Sequence, residues 1–550
     1  MLVLRSLTTL LLLFGMLFAI GAVALYYVEA PVWLAVLFAL FIAGLQYAIS
    51  PLILQWVMKI RWVPLSQIDP VQDRHLGDLC RQYNIPMPRF GIIEDGNPNA
   101  FTFGHYPGNA RVVVTRGLLD ICDEREVRAV IAHELGHIAH WDFVVMTVAA
   151  TVPMVLYMIW RFGMYSGRGR DRNAGGAALV AIGALIAYII SQYMVLGLSR
   201  LREYYADQFS ARATGDANAL SSALVKIGYG LARMAKEEAQ DTDSAAHPAS
   251  TAVAGARMLG IFDGKLSASM ALASASGYSA ATGQYSADAV SSAMRWDLWN
   301  PWALICELSS SHPLPAKRIA ALSRQATAQG HRPLYAAPQQ APANLWGQFF
   351  VDIAYNYAPL LGAIAGAILA MALGAGATDW AVWAGGVLLG AGLGMLLRLH
   401  FSHPTRRFSP RQVSNLVPEI GVSRVRCIPA LLQGQIIGRG IPGLYWSEDL
   451  VIQDSSGLMT MDYRQPLRFL EILFGLFRAE RFIGQQVTVE GWYRRFPIPY
   501  LEIYRVLLPN GEVHTSHNRG ISMLWSTLVT VIGGLLLLVG MLAFLPTTGL

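Results

Sequence analysis

Residues 132–142 read Ala132-His133-Glu134-Leu135-Gly136-His137-Ile138-Ala139-His140-Trp141-Asp142. At about 100° per residue, His133 and His137 stand one turn apart on a single helix face, where two imidazole nitrogens can hold one metal ion. Glu134 lies beside that face, placed to take a proton from a water whose pKa a bound Zn²⁺ lowers towards about 7. Asp123 and Glu126 form an Asp-x-x-Glu helix start, and Val127, Ile131, Leu135 and Ile138 recur roughly opposite the histidines. One face should pack while the other carries the metal. The five-residue signature alone arises readily by chance and requires a third ligand.

Composition sets the setting for that helix. The 550 residues are 54% hydrophobic and 14% charged, too apolar for a soluble protein of this size. A mean hydropathy of +0.39 agrees, and the expectation is a polytopic membrane protein. The formal net charge of +6 could suggest nucleic acid, but the basic residues are scattered and often flank apolar runs, so they more plausibly set topology at an anionic leaflet. No nucleic-acid partner is expected. Cys80, Cys122, Cys306 and Cys427 are widely spaced and form no Cys-x-x-Cys pair, which indicates neither a disulfide framework nor a thiolate zinc site and suits a reducing compartment.

Apolar runs at about 7–28 and 32–58 make an N-terminal membrane hairpin, assigned 1–63. Ala22-Val23-Ala24 leaves a cleaved signal peptide open, although an uncleaved helix is favoured. Lys59 and Arg61 follow the second run, as at a cytoplasmic boundary. The segment 64–142 carries no span. Within it Asn99-Ala100-Phe101-Thr102-Phe103 and Arg111-Val112-Val113-Val114-Thr115 read as strands around a Gly/Pro-rich turn. An edge strand beside a protease metal can bind substrate backbone by strand addition; an ordinary sheet strand is an equal reading.

Two further apolar runs, about 143–160 and 176–198, form a membrane hairpin assigned 143–198. Its connection carries Arg161, Arg168, Arg170 and Arg172, so the pair either crosses against the positive-inside rule or does not fully cross. After it Ser199 begins another helical pattern, on which Glu203 and Asp207 face one way at i, i+4 spacing. Glu203 could complete a His₂Glu site with one position open for water, and Asp207 could hold a ligand imidazole; an exposed pair beside Arg200 and Arg202 is the plain alternative.

The ordered set Asn99-Ala100-Phe101, His133-Glu134-x-x-His137, Glu203-x-x-x-Asp207 and Ser311-His312-Pro313-Leu314, with Arg318-Ile319 after it, resembles the HtpX-like M48 metalloproteases. The likeness covers roughly residues 1–325, with two spans before the metal helix and a hairpin between it and the third ligand. It implies one Zn²⁺ per chain held by His133, His137 and Glu203, with Glu134 as general base. His312 and Arg318 match a motif near the catalytic site: His312 can donate to the oxyanion or cap a turn before Pro313. Asp207 and His140 are expected around the ligands rather than on the metal, and Asn99, Ala100 and Phe101 at the substrate. A metzincin is excluded because position 143 is Phe where a third histidine would stand. The implied activity is zinc-dependent endoproteolysis of protein or peptide substrates in membrane-protein quality control, in the inner (plasma) membrane with the active site towards the cytoplasm. A prenyl-protein (CAAX-type) protease and a non-enzymatic scaffold with a structural metal are the alternatives.

The protease domain is therefore assigned 64–142 and 199–345. It holds an Ala/Ser-rich stretch, about 241–292, that reads as a loose insertion and a candidate lid. A second membrane hairpin follows at 346–398, where Gly386, Gly390 and Gly394 allow close helix contact, with packing inside the chain favoured over self-association. A soluble β-rich domain, 399–522, shows strand patterns near Ile436, Ile452, Val489 and Ile503, interrupted by a helical pattern at about 467–478; it could build a small OB-type barrel. Within it Trp492-Tyr493-Arg494-Arg495 could face nucleic acid, lipid or a partner. A C-terminal anchor, 523–550, closes the chain. The expected fold is thus mainly α: a polytopic membrane protein with a zincin-like α+β metalloprotease domain and a small β-rich domain. Oligomeric state cannot be read from the sequence.

Overall fold

The computed structural model describes residues 32–96, 98–166, 174–227, 278–279, 284–337, 344–376, 379–405, 407–439, 450–465, 479–496 and 498–544. The first apolar run, most of the candidate lid and the helical pattern at 467–478 lie outside these residues. The described chain is mainly helical and divides into two compact units, residues 32–227 with 305–337, and 278–304 with 344–544. Five of the described helices are long and apolar enough to cross a membrane.

In the first unit, α1 (Val32–Val57) leads into a four-stranded sheet. Its strands are β1 (Arg61–Trp62), β2 (Arg89–Ile93), β3 (Ala100–Phe103) and β4 (Arg111–Thr115), in the order β1-β2-β4-β3. Between β1 and β2 runs α2 (Pro70–Gln82). The run Arg111–Thr115 is therefore interior, parallel to β2, whereas β3 pairs only on one side and is the edge. Phe101, Phe103 and Val113 pack with Met58, Ile60 and Ile93, so the sheet closes over the end of α1. Pro51 inside α1 has no N–H, which frees the carbonyl of Tyr47 four residues earlier. His105, just after β3, brings its Nε2 within 3.1 Å of that carbonyl and of the Ala48 carbonyl, while the Tyr47 hydroxyl donates to the His105 carbonyl. The edge strand is thereby moored to the turn of α1 that precedes Pro51.

The metal-signature helix is α3 (Glu124–Ala139), started by the expected capping box of Asp123 and Glu126. Val127, Ile131, Leu135 and Ile138 are buried on its packing side. Trp141 follows at φ 58°, a left-handed turn that ends α3 and passes the chain directly to α4 (Asp142–Ser166). The expectation of a new helix near Ser199 is corrected here: one helix, α5 (Ala174–Thr214), runs 41 residues from the apolar stretch through Glu203 and Asp207. Nothing at Ser199 breaks a helix, and only the composition changes from apolar to polar. The helix Pro315–Ala328 completes this unit beside α5.

The second unit opens with α6 (Ala287–Trp299) and the bent pair α7 (Trp346–Asn356) and α8 (Ala358–Ala372), which meet at 63°. At 15 residues α8 is about 22 Å long, short for a span, so the pair makes either a broken span or a re-entrant segment. It packs on α9 (Trp380–Ser402) through the expected glycines. A Cβ on Gly390 would lie 1.9 Å from the Gly362 carbonyl oxygen, and one on Gly386 2.4 Å from that of Gly366. Another face of α9 meets α10 (Asn518–Phe544), where a Cβ on Gly385 would strike the Leu537 backbone at 2.3 Å.

Between α9 and α10 lie β5 (Ile428–Arg439), β6 (Leu450–Gln453), β7 (Leu458–Asp462), β8 (Gln486–Arg495), β9 (Pro499–Leu507) and β10 (Val513–Thr515). Antiparallel pairing runs β7-β6-β5-β8-β9-β10, and a parallel β7–β9 pairing closes it into a barrel-like sheet. The surface expected at Trp492-Tyr493-Arg494-Arg495 is corrected by burial, since none of the four is more than 2% exposed. Arg494 pairs with Glu502 at 2.7 Å and donates to the carbonyls of Ser402 and Val425, and Arg495 reaches Asp297 on α6 at 3.0 Å. These arginines fasten the sheet to α9 and α6.

Candidate metal centre

Two helices deliver the cluster. From α3, His133 and His137 bring their Nε2 atoms to 3.2 Å, and from α5, Glu203 stands 3.6 Å from His133 and 3.7 Å from His137. Each imidazole is gripped from behind, His133 Nδ1 by Asp207 at 3.0 Å and His137 Nδ1 by Asp142 at 2.6 Å. With both Nδ1 protons given to carboxylates, the two Nε2 lone pairs point at each other beside a third anionic donor, which is repulsive unless a proton or a metal cation lies between them. Donors 2.0–2.1 Å from a tetrahedral centre stand about 3.3 Å apart, close to the spacings here, so this donor set fits a zinc ion. Burial works against charge on His133, yet hydrogen bonds to Asp207 and Glu203 outweigh it and raise its pKa to about 9. For His137 burial dominates and lowers the pKa.

The helices can come this close because residue 136 is glycine. A Cβ there would lie 2.9 Å from Ala206 Cα and 3.2 Å from Phe209 Cβ on α5. Arg318, fully buried on the helix Pro315–Ala328, donates through Nε and Nη2 to Asp207 at 2.9 and 2.6 Å and lies 3.1 Å from Glu203. Its guanidinium is thus taken up by these two carboxylates. Arg202 pairs with Asp142 and donates to the His140 carbonyl.

His312 Nδ1 stands 3.3 Å from Glu203, beside the three clustered ligands, and its backbone N–H donates to Ser310. His140, by contrast, ends α3 with Tyr205 and Phe209 beside its ring and is not among the clustered ligand atoms. Glu134 is 2% exposed and accepts from the Thr102 hydroxyl of β3 at 2.7 Å. Of the expected substrate residues, Ala100 and Phe101 lie on β3 with buried side chains, leaving that strand's backbone edge for contact, and Asn99 is fastened to Thr115. Gly136, Asp142 and Thr102 are the site residues that sequence reasoning missed. The available signal was the helix-interior glycine, whose cost of about 1 kcal/mol asks for a packing reason.

A sequence profile described as peptidase family M48 matches residues 70–326. The protease HtpX homolog of Methanothermobacter thermautotrophicus is 42% identical over 226 residues, covering 41% of this chain and 84% of the relative. The chain belongs to peptidase family M48. A second relative, protease HtpX homolog 2 of Methanosarcina acetivorans, is 33% identical over 42% of this chain and 80% of its own length. The protease HtpX homolog of Burkholderia mallei is 38% identical over 31% and 61%. Among solved structures, Ste24p of S. mikatae aligns with a TM-score of 0.32 and 18% identity over 41% of this chain and 58% of that one. As an HtpX-like M48 protein with several membrane-length helices, the chain is a multi-pass membrane metalloprotease.

Proposed function

We propose that this M48 chain is an endopeptidase whose single zinc is held by His133, His137 and Glu203, with Glu134 as general base. The observation that carries the reading is the convergence of two imidazole Nε2 atoms and a carboxylate, each imidazole backed by its own acid. Zinc bound there supplies a Lewis acid that polarises a peptide carbonyl and acidifies water. Glu134 takes a proton from the attacking water and later hands it to the leaving amine. Asp207 and Asp142 hold the imidazoles in the tautomer that presents Nε2. Against burial, Arg318 holds Asp207 ionised and, with His312, Glu203 as well. The free edge of β3 accepts an extended substrate by strand addition, near Asn99, Ala100 and Phe101. His312, with Nδ1 turned to Glu203, has Nε2 to offer the developing oxyanion.

The protease part, 64–142 with 199–345, is read as zincin-like, supported by a sheet with an edge strand packed on the signature helix. The closed pairing of β5 to β9, with a parallel contact between the third and fifth strands, supports an OB-type barrel in the region 399–522. Lys59 and Arg61 directly after α1 support an active site facing the cytoplasm from the inner membrane. The family resemblance supports damaged or unassembled membrane proteins as substrates. The test is Glu134→Gln in the full chain, assayed with unfolded casein. Zinc content should stay at one per chain while cleavage falls at least about a hundredfold. Full cleavage by that variant, purified free of other proteases, would overturn the assignment.

A further inference from the structure

We propose that Thr102 is a positioning residue for catalysis, whose hydroxyl fixes the Glu134 carboxylate and ties it to the strand on which substrate is laid; this rests on Glu134 being the base. Along β3 the side chains alternate. Phe101 and Phe103, 2% and 8% exposed, enter the core with Met58, Ile60 and Val113, while Thr102 points the other way and meets α3. Its Oγ1 lies 2.7 Å from Glu134 Oε2 and 3.4 Å from the Glu134 carbonyl oxygen. A hydroxyl has one proton, and the shorter, charged acceptor receives it.

That bond has a consequence for the reaction. A glutamate side chain has three rotatable bonds, and a base must present one oxygen to water in a narrow range of directions. Threonine is β-branched and stiff, and here it is carried on a strand held by Thr102↔Val112 and Phe101↔Val113 pairing. By engaging Oε2 it leaves Oε1 as the oxygen that receives the proton. The edge that would bind the substrate backbone and the group that aims the base are then one strand, moored at its far end by His105 to α1. A peptide docked on β3 therefore meets a base whose aim is set by the same residues.

The test compares Thr102→Val, Thr102→Ala and Thr102→Ser in the full-length protein, in detergent micelles, with a quenched fluorogenic peptide taken from a casein cleavage site. Zinc content, melting temperature and the Kd of that peptide for the metal-free protein are measured alongside. The valine and alanine variants should lose about tenfold to a hundredfold in kcat, with KM, peptide Kd and zinc content unchanged. Thr102→Ser, which keeps the hydroxyl, should recover most of the lost rate. Wild-type kcat in the valine or alanine variant, or equal loss in the serine variant, overturns the proposal, as does a loss carried entirely by zinc content or melting temperature. Glu134→Gln, run in parallel, separates the failures: if it still cleaves, the assignment of the base has failed rather than the role of Thr102.

Discussion

Replacing Gly136 by alanine should weaken the metal site without touching a ligand. The added methyl would sit 2.9 Å from Ala206 Cα, against the 3.4 Å at which ordinary contact begins, and 3.2 Å from Phe209 Cβ. Because the nearest obstacle is backbone, α3 and α5 must part locally by roughly 0.5 Å. His133 and His137 ride on one helix and Glu203 and Asp207 on the other, whereas metal–ligand distances tolerate only about 0.2 Å. Overpacking costs about 1–3 kcal/mol, and alanine's better helix propensity returns up to about 1 kcal/mol. At the middle of that range about 1 kcal/mol remains, drawn from metal binding, which corresponds to roughly fivefold weaker zinc affinity. The assay is competition with a chelating dye on the full chain, with thermal unfolding followed for the zinc-loaded and metal-free forms. Gly77→Ala on α2, where nothing lies within 4 Å of the new methyl, is the control and should leave zinc affinity alone. Zinc affinity in Gly136→Ala within about twofold of wild type would refute the reasoning that helix spacing sets the site.

Three further outcomes follow from the geometry. Asp142→Asn removes the carboxylate behind His137 Nδ1 and should weaken zinc binding about 10- to 100-fold by the same titration. Burial alone would raise the pKa of Glu502, but Arg494 and the hydrogen bond from His403 outweigh it and hold it well below the usual carboxylate range. A depressed folded pKa stabilises above the unfolded value near 4.5 and is lost as pH falls below it, so the melting transition of the C-terminal unit should drop on acidification from pH 5 to 3 and Glu502→Gln should flatten that dependence. Gly390→Leu drives a side chain into the Gly362 carbonyl and should cost at least about 1–3 kcal/mol in the α8–α9 contact, read as a lower melting temperature in lipid nanodiscs.

What could be read from the sequence follows the range over which each signal acts. His133, Glu134 and His137 were legible because helical periodicity alone puts them on neighbouring faces. Glu203 required the family pattern, since 65 residues, including most of two long apolar helices, lie between it and His137. Thr102 was hidden because its partner lies 32 residues away across a strand–helix contact, and Asp142 because, as the last residue before an apolar run, it showed no pattern tying it to His137. The continuity of α5 was missed where its exposed face changes from lipid-like to polar composition. The strands of the C-terminal region showed their β-branched and aromatic runs, but their closure depends on the parallel pairing of Thr460 with Tyr500, which no local pattern encodes. Burial of Trp492 to Arg495 was equally illegible: adjacent strand residues point to opposite faces, and the acids that receive the arginines, Glu502 and Asp297, lie on other elements.

Zinc-edge X-ray absorption of the purified full chain reads directly which atoms hold the metal. It should give nitrogen and oxygen scatterers at about 2.0–2.1 Å with no sulfur, and most of the zinc should vanish in Glu203→Ala. A sulfur shell at about 2.3 Å, which would bring in Cys80, Cys122, Cys306 or Cys427, or an unchanged spectrum in Glu203→Ala, would contradict it.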